Sequence, residues 1–543
     1  MASNDVPRVF ASVLRILLIA TTLAGVWLRF DGLARMPVWY DEVATLLHLS
    51  GNTQAQLGRL YDGRSLRVGE LLDEYQGARS ASTAPSQRPL PSVVDVVQAA
   101  AADEPQSGAL YFAVASVAAG EGDAARVRLL SALASAASLL LLGLLAWRLF
   151  GVQAAWVVIA IGAISPLDLR FAQEARPYAL CGAFLIASAL AADRARRVRD
   201  VRAWIVYALC LSAALWSHPV ALLAVPALFV LASARADERK FSHRGHAMTA
   251  AWPATMAAVV AWLPWAFVCW SAYPKIQELT AWSNEPIGFV NLMRGWVGEI
   301  MSLFFRPRGE GGILPRDFPE PESSIVSILL AGIAIAISAA ALVAVARHPE
   351  RPSRRFTLIL TFFPWLVFVA MDLAFDGRRS TVARYLLPAW TGLQLAVACW
   401  TMRPGPRRRG RQMLLMLLLI LGLATAWNTR TARGWWDTDV PRLLRLHETA
   451  VAIDAIPDAV VVTDMAPLDL LEFARHLRAG TSLRLGATAP ASLTSEEWPR
   501  AVFVSPSPML VDAMQKTAKD RGVTLERWRL DDEEPRLWRI AVR

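Results

Sequence analysis

A few short stretches of this chain carry side chains whose types and spacing suit chemistry on a charged or hydroxylated substrate. Pro37-Val38-Trp39-Tyr40-Asp41-Glu42 sets two adjacent carboxylates behind two aromatic rings, in the first polar stretch after the first apolar block. Asp168-Leu169-Arg170-Phe171-Ala172-Gln173-Glu174-Ala175-Arg176-Pro177-Tyr178 packs acids, bases and an amide between two later apolar blocks. Asp103-Glu104-Pro105, His218-Pro219, and Arg384-Tyr385 ahead of Pro388 complete the set. Where a chain leaves a bilayer, a sugar or lipid head group meets protein side chains, and Asp41 is the candidate chemical centre. Each stretch has a plain alternative: Asp41 as a helix cap, His218 as a partner for a backbone carbonyl. Carboxylates beside the hydrocarbon boundary are costly unless paired or used. Together on one side of a membrane these groups mean more than any of them alone.

The elements that position them are membrane helices. The chain has 543 residues, 55% hydrophobic and 19% charged, with a mean hydropathy of +0.35. Soluble domains hold about 45–50% apolar residues. The apolar residues here gather into blocks of roughly 16–25, enough to cross about 30 Å of hydrocarbon at about 1.5 Å per residue. The expectation is a mainly α, polytopic membrane protein of about eleven transmembrane helices. The cysteines, Cys181, Cys210, Cys269 and Cys399, all lie inside apolar blocks, so a disulfide scaffold is not expected.

The first span covers 9–28 and reads as an uncleaved anchor, since no small-residue cleavage site follows it. A polar region, 29–125, comes next, with a Gly/Ser/Arg-rich middle (62–92) and an apolar piece, 108–119, too short to span and suited to an interfacial helix. Further spans are expected at 127–147, 152–167, 177–192, 203–217, 219–234, 249–272, 323–346, 356–375, 382–402 and 412–428. Several are short, which leaves a recess opening outward. Alternating the loops places Arg194, Arg196, Arg197, Arg199, Arg202, Arg235, Arg239, Lys240, Arg244, Arg347, Arg351, Arg354, Arg355 and the Arg403–Arg411 run on one side, the cytoplasmic side by the positive-inside rule. The net charge of +10 is therefore a topology signal and not a nucleic-acid surface.

Arginines set against that rule are informative. Arg170, Arg176, Arg378, Arg379 and Arg384 sit in short outward loops, where anion binding would explain them. The alternative is structural ion pairing with Asp168, Glu174, Asp372 and Asp376. A second long outward segment, 273–322, ends in Arg306-Pro307-Arg308-Gly309-Glu310-Gly311-Gly312 and reads as a mobile flap or a plain linker. After residue 428 strand-like runs (459–462, 501–504, 524–530, 537–542) alternate with helical patterns at 466–478 and 508–521, an outward α/β domain of about 100 residues. Asp464, just past a strand, suits helix capping better than a ligand crevice. The expected division is therefore a membrane domain, 1–428, and an extracytoplasmic α/β domain, 429–543.

In their order along 9–430 these motifs resemble the GT-C superfamily of polytopic glycosyltransferases, family 39, whose relatives include protein O-mannosyltransferases and lipid A aminoarabinose transferases. Trp39-Tyr40-Asp41-Glu42 resembles the family's aromatic-Asp-Glu in the first outward loop. Asp103-Glu104-Pro105 through Leu110-Tyr111-Phe112 resembles its acidic-x-Pro-Pro-Leu-Tyr-Tyr element, with Gln106 at the second proline, and Gly120 to Arg128 follows with one extra residue. Ala172-Gln173-Glu174-Ala175-Arg176-Pro177-Tyr178-Ala179-Leu180 resembles Ser-Gln-Glu-Ala-Arg-x-Tyr-Ala-Leu and is the most specific match. Ser217-His218 and Arg384-Tyr385-Leu386-Leu387-Pro388 resemble the Thr-His and Arg-Tyr elements.

The resemblance implies transfer of a sugar from a polyprenyl-phosphate donor to an extracytoplasmic glycan, lipid or protein acceptor at the bacterial-type inner membrane, usually with inversion. It casts Asp41 as base, assisted by Glu42, and Arg176 and Arg384 as binders of the departing lipid phosphate. Asp103, Glu104, Arg170, Gln173, Glu174, Tyr178, His218 and Tyr385 would line the substrate. No cofactor is required, although a divalent metal on Asp103 and His218 is an option seen in some relatives. The competing class is a transporter or lipid-linked-glycan flippase, which should show paired repeats and Gly/Pro-broken helices near the midplane. Pro226 and Pro264 are candidate breaks, and no convincing repeat is visible.

Overall fold

The computed structural model describes residues 5–76, 90–119, 123–198, 200–234, 246–305, 325–428, 439–528 and 537–541. Gly120, the 77–89 part of the Gly/Ser/Arg-rich stretch, Arg199, Arg235 to Arg244 and the 306–322 end of the expected flap lie outside them. The chain forms two compact units. The span unit comprises Met1–Leu33, Glu104–Tyr111 and Arg128–Asp437; the sheet unit comprises Ala34–Asp103, Phe112–Val127 and Thr438–Arg543. By packing, the region after the first span goes with the C-terminal residues, whereas the linear reading divided the chain at 428.

Among the described residues, apolar composition and length qualify seven helices as candidate membrane spans, from Phe10–Phe30 to Arg408–Asn428, or eight if one bent pair is a single span. The expected eleven also requires the shorter helices Val201–Ser217, Pro219–Ser233 and Leu387–Met402 to cross. Proline and capping residues set where these helices begin. Ser165 accepts from the Asp168 backbone N–H and Pro166 takes the first helical position, so Pro166–Gln173 starts afresh at 61° to Val152–Ile164. Asp200 caps Val201–Ser217 in the same way. The expected span at 382–402 opens with two 3₁₀ turns, Arg379–Thr381 and Ala383–Leu386, before Leu387–Met402.

In the last turn of the first helix Arg29 is fully buried. Its guanidinium donates to the carbonyls of Gly25 (2.8 Å), Ala163 (2.6 Å) and Gly162 (2.7 Å) and to Ser135 Oγ (3.0 Å). Carbonyls freed where the Val152–Ile164 helix breaks need donors in an apolar surrounding, and Arg29 supplies them. The close approach needs Gly25, because a Cβ there would meet the Ala163 carbonyl oxygen at 2.2 Å.

In the sheet unit six strands lie in the order β1-β3-β2-β4-β6-β5: β1 Ser65–Arg67, β2 Val460–Thr463, β3 Ser482–Leu485, β4 Ala501–Val504, β5 Leu525–Trp528 and β6 Leu537–Ile540. Strands β3, β2 and β4 are parallel, and the others pair antiparallel at the two edges. Alternation puts Val461, Leu483, Leu485, Val502 and Val504 on one face, and Val460, Val462, Ala501 and Phe503 on the other. The second face is covered by Leu510, Met514 and Ala518 of helix Pro508–Asp520. Much of the first face is covered by the stretch after the first span: Val43, Ala44 and Leu47 of helix Tyr40–Leu49, then Leu57, Leu60, Val68 and Leu71.

Pairing of β1 with β3 joins the stretch after the first span to the C-terminal residues in one sheet.

Candidate active site

The span unit gathers its chemistry-bearing side chains at the turns between helices. Arg176 follows the Pro166–Gln173 helix, and Pro177 then starts helix Tyr178–Val198. Its guanidinium grips Glu104 with both arms, Nη1 to Oε2 at 3.0 Å and Nη2 to Oε1 at 3.2 Å, and both side chains are buried. Such fork-to-carboxylate geometry fixes the plane of the guanidinium as well as its position. The Tyr178 ring lies 5.5 Å from the His218 ring and 5.2 Å from Phe171.

His218 occupies the turn between Val201–Ser217 and Pro219–Ala224, where its Nδ1 accepts from the Val220 backbone N–H at 3.1 Å. Burial first, and then the charges of Arg176 and Arg384, lower its pKa to about 3, so at neutral pH the imidazole is uncharged. That pattern brings both arginines into electrostatic reach of one side chain. Arg384 lies in the Ala383–Leu386 turn with its Cζ 5.2 Å from the centre of the Trp282 ring. Tyr385 stacks on Phe368 at 5.5 Å. The structure thus packs Tyr178 on His218 and sets Glu104 on Arg176, and the charges of Arg176 and Arg384 both act on His218.

Other candidates take structural places. Gln173 Nε2 donates to the Leu28 and Asp31 carbonyls (2.7 and 3.0 Å) and caps the end of the first helix. Arg170 pairs with Glu174 at 2.5 Å inside its own turn. Asp168 accepts from Gln394 Nε2 at 2.5 Å. Arg378 donates to the Trp282 carbonyl and to Glu285, and Arg379 pairs with Asp372 at 3.1 Å. For Arg170, Arg378 and Arg379 the ion-pair alternative describes the geometry: of the expected partners Asp168, Glu174, Asp372 and Asp376, Glu174 and Asp372 form side-chain pairs with them, and Arg378 takes Glu285 instead.

In the sheet unit Asp41 and Glu42 stand in the first turn of helix Tyr40–Leu49, where the positive end of the helix favours acids. Glu42 is buried and Asp41 only partly so, which leaves Asp41 as the carboxylate of the two that meets solvent. At the other end of that helix buried His48 places Nε2 3.4 Å from Asp103 Oδ2, and the same oxygen accepts from the Gln54 backbone N–H at 2.7 Å. Asp103 therefore ties helix Tyr40–Leu49 and the chain after it to helix Val93–Asp103. The boundary between the units falls between Asp103 and Glu104.

Among the described residues no group of three or more His, Cys, Asp or Glu side chains is placed to hold a metal ion. Asp103 carries the Gln54 N–H and His218 Nδ1 carries that of Val220, so neither of the suggested ligands is a bare donor. Asp464 is not itself a cap: it accepts from the Ser507 backbone N–H at 2.9 Å and from its hydroxyl, and so holds Ser507, whose side chain caps Pro508–Asp520. Sequence reasoning missed Arg29 and Trp282. An arginine at the end of an apolar span was the one available signal for the first; nothing in the spacing marks the second.

No protein-family profile matches the chain, and no curated protein matches its sequence. Among solved structures the chain is similar to ArnT from Cupriavidus metallidurans bound to undecaprenyl phosphate, at 14% identity and a TM-score of 0.49, over 99% of this chain and 98% of that one. It is also similar to the archaeal oligosaccharyltransferase AglB from Archaeoglobus fulgidus in complex with an inhibitory peptide and a dolichol-phosphate, at 11% identity and a TM-score of 0.44, over 94% of this chain and 69% of that one.

Proposed function

We propose that this protein is a membrane glycosyltransferase that moves a sugar from a polyprenyl-phosphate-linked donor to an acceptor on the extracytoplasmic side of a bacterial-type inner membrane. The observation that supports the reading is the buried fork of Arg176 on Glu104, in the same turn as Tyr178 packed on His218, in the span unit that also carries Arg384 against Trp282. Guanidiniums at the rim of an apolar bundle suit a lipid phosphate, whose negative charge grows as its bond to the sugar breaks. A neutral His218 adds no charge and can exchange hydrogen bonds with a phosphate oxygen or a sugar hydroxyl.

Asp41 takes the proton of the acceptor hydroxyl as that oxygen attacks the anomeric carbon, with inversion there. Its partial exposure lets an acceptor approach. Glu42 and Asp103 hold the helix that carries it. Should the acceptor be a phosphate, no base is needed and Asp41 orients the acceptor instead. Glu104 keeps the plane of Arg176 fixed for the leaving group.

The test is Asp41→Asn, expressed in cells lacking the wild-type protein, with mass spectrometry of envelope glycans and lipids. The reading predicts that a glycan present with the wild type disappears with the variant while the protein stays folded. A transporter or flippase would keep its product. Unchanged glycans with and without the wild-type protein would contradict the enzyme altogether.

A further inference from the structure

The sheet unit places the stretch after the first span in the position a bound ligand takes in open α/β folds. In such sheets ligands occupy the crevice outside the carboxyl ends of the parallel strands. Here Tyr61 fills that place. Its hydroxyl donates to the Met465 carbonyl, just past β2, at 2.6 Å. A Cβ on Gly486, just past β3, would meet the Tyr61 carbonyl oxygen at 2.6 Å, and Gly486 has φ +96°. Burial, with Asp464 and Asp469 nearby, pushes the Tyr61 phenol upward and keeps it a donor.

Around Tyr61 the backbone is joined on both sides. Gly63 N–H donates to the Leu485 carbonyl at 2.9 Å, and its own carbonyl accepts from Ser492 Oγ at 2.6 Å and Arg484 at 3.2 Å. Val68 and Gly69 donate to Thr481 and Ala479 at 3.0 and 2.8 Å, and Arg475 donates to buried Gln76 at 2.5 Å. The same stretch carries Asp41, whose helix lays Val43, Ala44 and Leu47 on the sheet.

We propose that the C-terminal sheet is an intramolecular receptor for the 40–76 stretch, with Tyr61, Gly63 and Gly486 as positioning residues that fix the Asp41 helix while touching no substrate. This rests on Asp41 acting in transfer. Side-chain contacts on one helix face would let that helix slide; pairing β1 with β3 and seating Tyr61 removes the slack. Misplacing a reacting group by about 1 Å can cost on the order of 10²-fold in rate.

The test compares Gly486→Val and the milder Tyr61→Phe with wild type and Asp41→Asn in three readouts: hydrogen exchange of residues 40–76, binding of undecaprenyl phosphate in detergent, and glycan product in cells. Expected for Gly486→Val are faster exchange in 40–76, product reduced on the order of 10²-fold, and lipid-phosphate binding within about twofold of wild type, since Arg176 and Arg384 belong to the other unit. Tyr61→Phe should shift exchange and product in the same direction by less. Faster exchange with unchanged product in both variants would overturn the proposal, as would loss of product with unchanged exchange. Full product from Asp41→Asn would overturn the functional reading instead, whatever the sheet variants do.

Discussion

The candidate anion binders and the candidate base stand in different settings. In the span unit the arginines are gripped: Arg176 by Glu104, Arg378 by Glu285, Arg379 by Asp372, and Arg384 against Trp282. In the sheet unit the candidate base, Asp41, stands partly exposed in the first turn of a helix whose later residues are core. The difference matches two tasks. Holding an anion needs a guanidinium whose plane is fixed before the ligand arrives, and buried pairing fixes it. Taking a proton needs a carboxylate that an acceptor can reach, held in place from behind.

Breaking the chemical side of that contrast should give the largest effect. Asp41→Asn is expected to lower transfer by about 10²–10⁴-fold, measured as product per folded protein, with the melting temperature unchanged. Breaking the gripped side shows next. Arg176→Gln leaves Glu104 as a buried carboxylate without its fork, and removing one partner of a buried pair costs about 3–5 kcal/mol. Denaturation in detergent should show that loss together with weaker lipid-phosphate binding; a variant as stable as wild type would mean that the pair carries no structural load.

The smallest effect sharpens the sheet side. Burial, then His447 and Arg475, lower the His476 pKa to about 4, below its ordinary value near 6.5. The unfolded chain thus takes up the proton first as pH falls, and the neutral form favoured in the folded state loses ground. Melting of the sheet unit should be stable above about pH 6.5 and decline as pH drops toward 4. His476→Gln should flatten that decline, as followed by tryptophan fluorescence.

Much of the architecture was legible because it follows from strong local signals. Apolar blocks of spanning length marked the membrane helices, and the continuous apolar runs Ala459-Val460-Val461-Val462 and Ala501-Val502-Phe503-Val504 marked two central strands. What was not legible depends on pairing at a distance. Ser482-Leu483-Arg484-Leu485 and Ser65-Leu66-Arg67 are too short and polar to announce themselves, so the joining of the first outward loop to the C-terminal residues stayed hidden. The Gln-Glu-Ala-Arg-x-Tyr run marked a turn dense in buried polar side chains but not the division of labour inside it. Tyr178 packs on His218 and Arg176 on Glu104, whereas Gln173 caps a helix and Glu174 neutralises Arg170. Side chains two residues apart can point to different neighbours, and spacing alone does not say which.

The central claim is that anion holding and acceptor chemistry are separate tasks of separate residues. Titrating undecaprenyl phosphate against wild type, Arg384→Ala and Asp41→Asn tests it most directly. A charge-assisted contact to phosphate is worth about 1.5–3 kcal/mol, so Arg384→Ala should bind about 10–100-fold more weakly while Asp41→Asn binds like wild type. Wild-type binding by Arg384→Ala, or equal loss in both variants, would contradict the account.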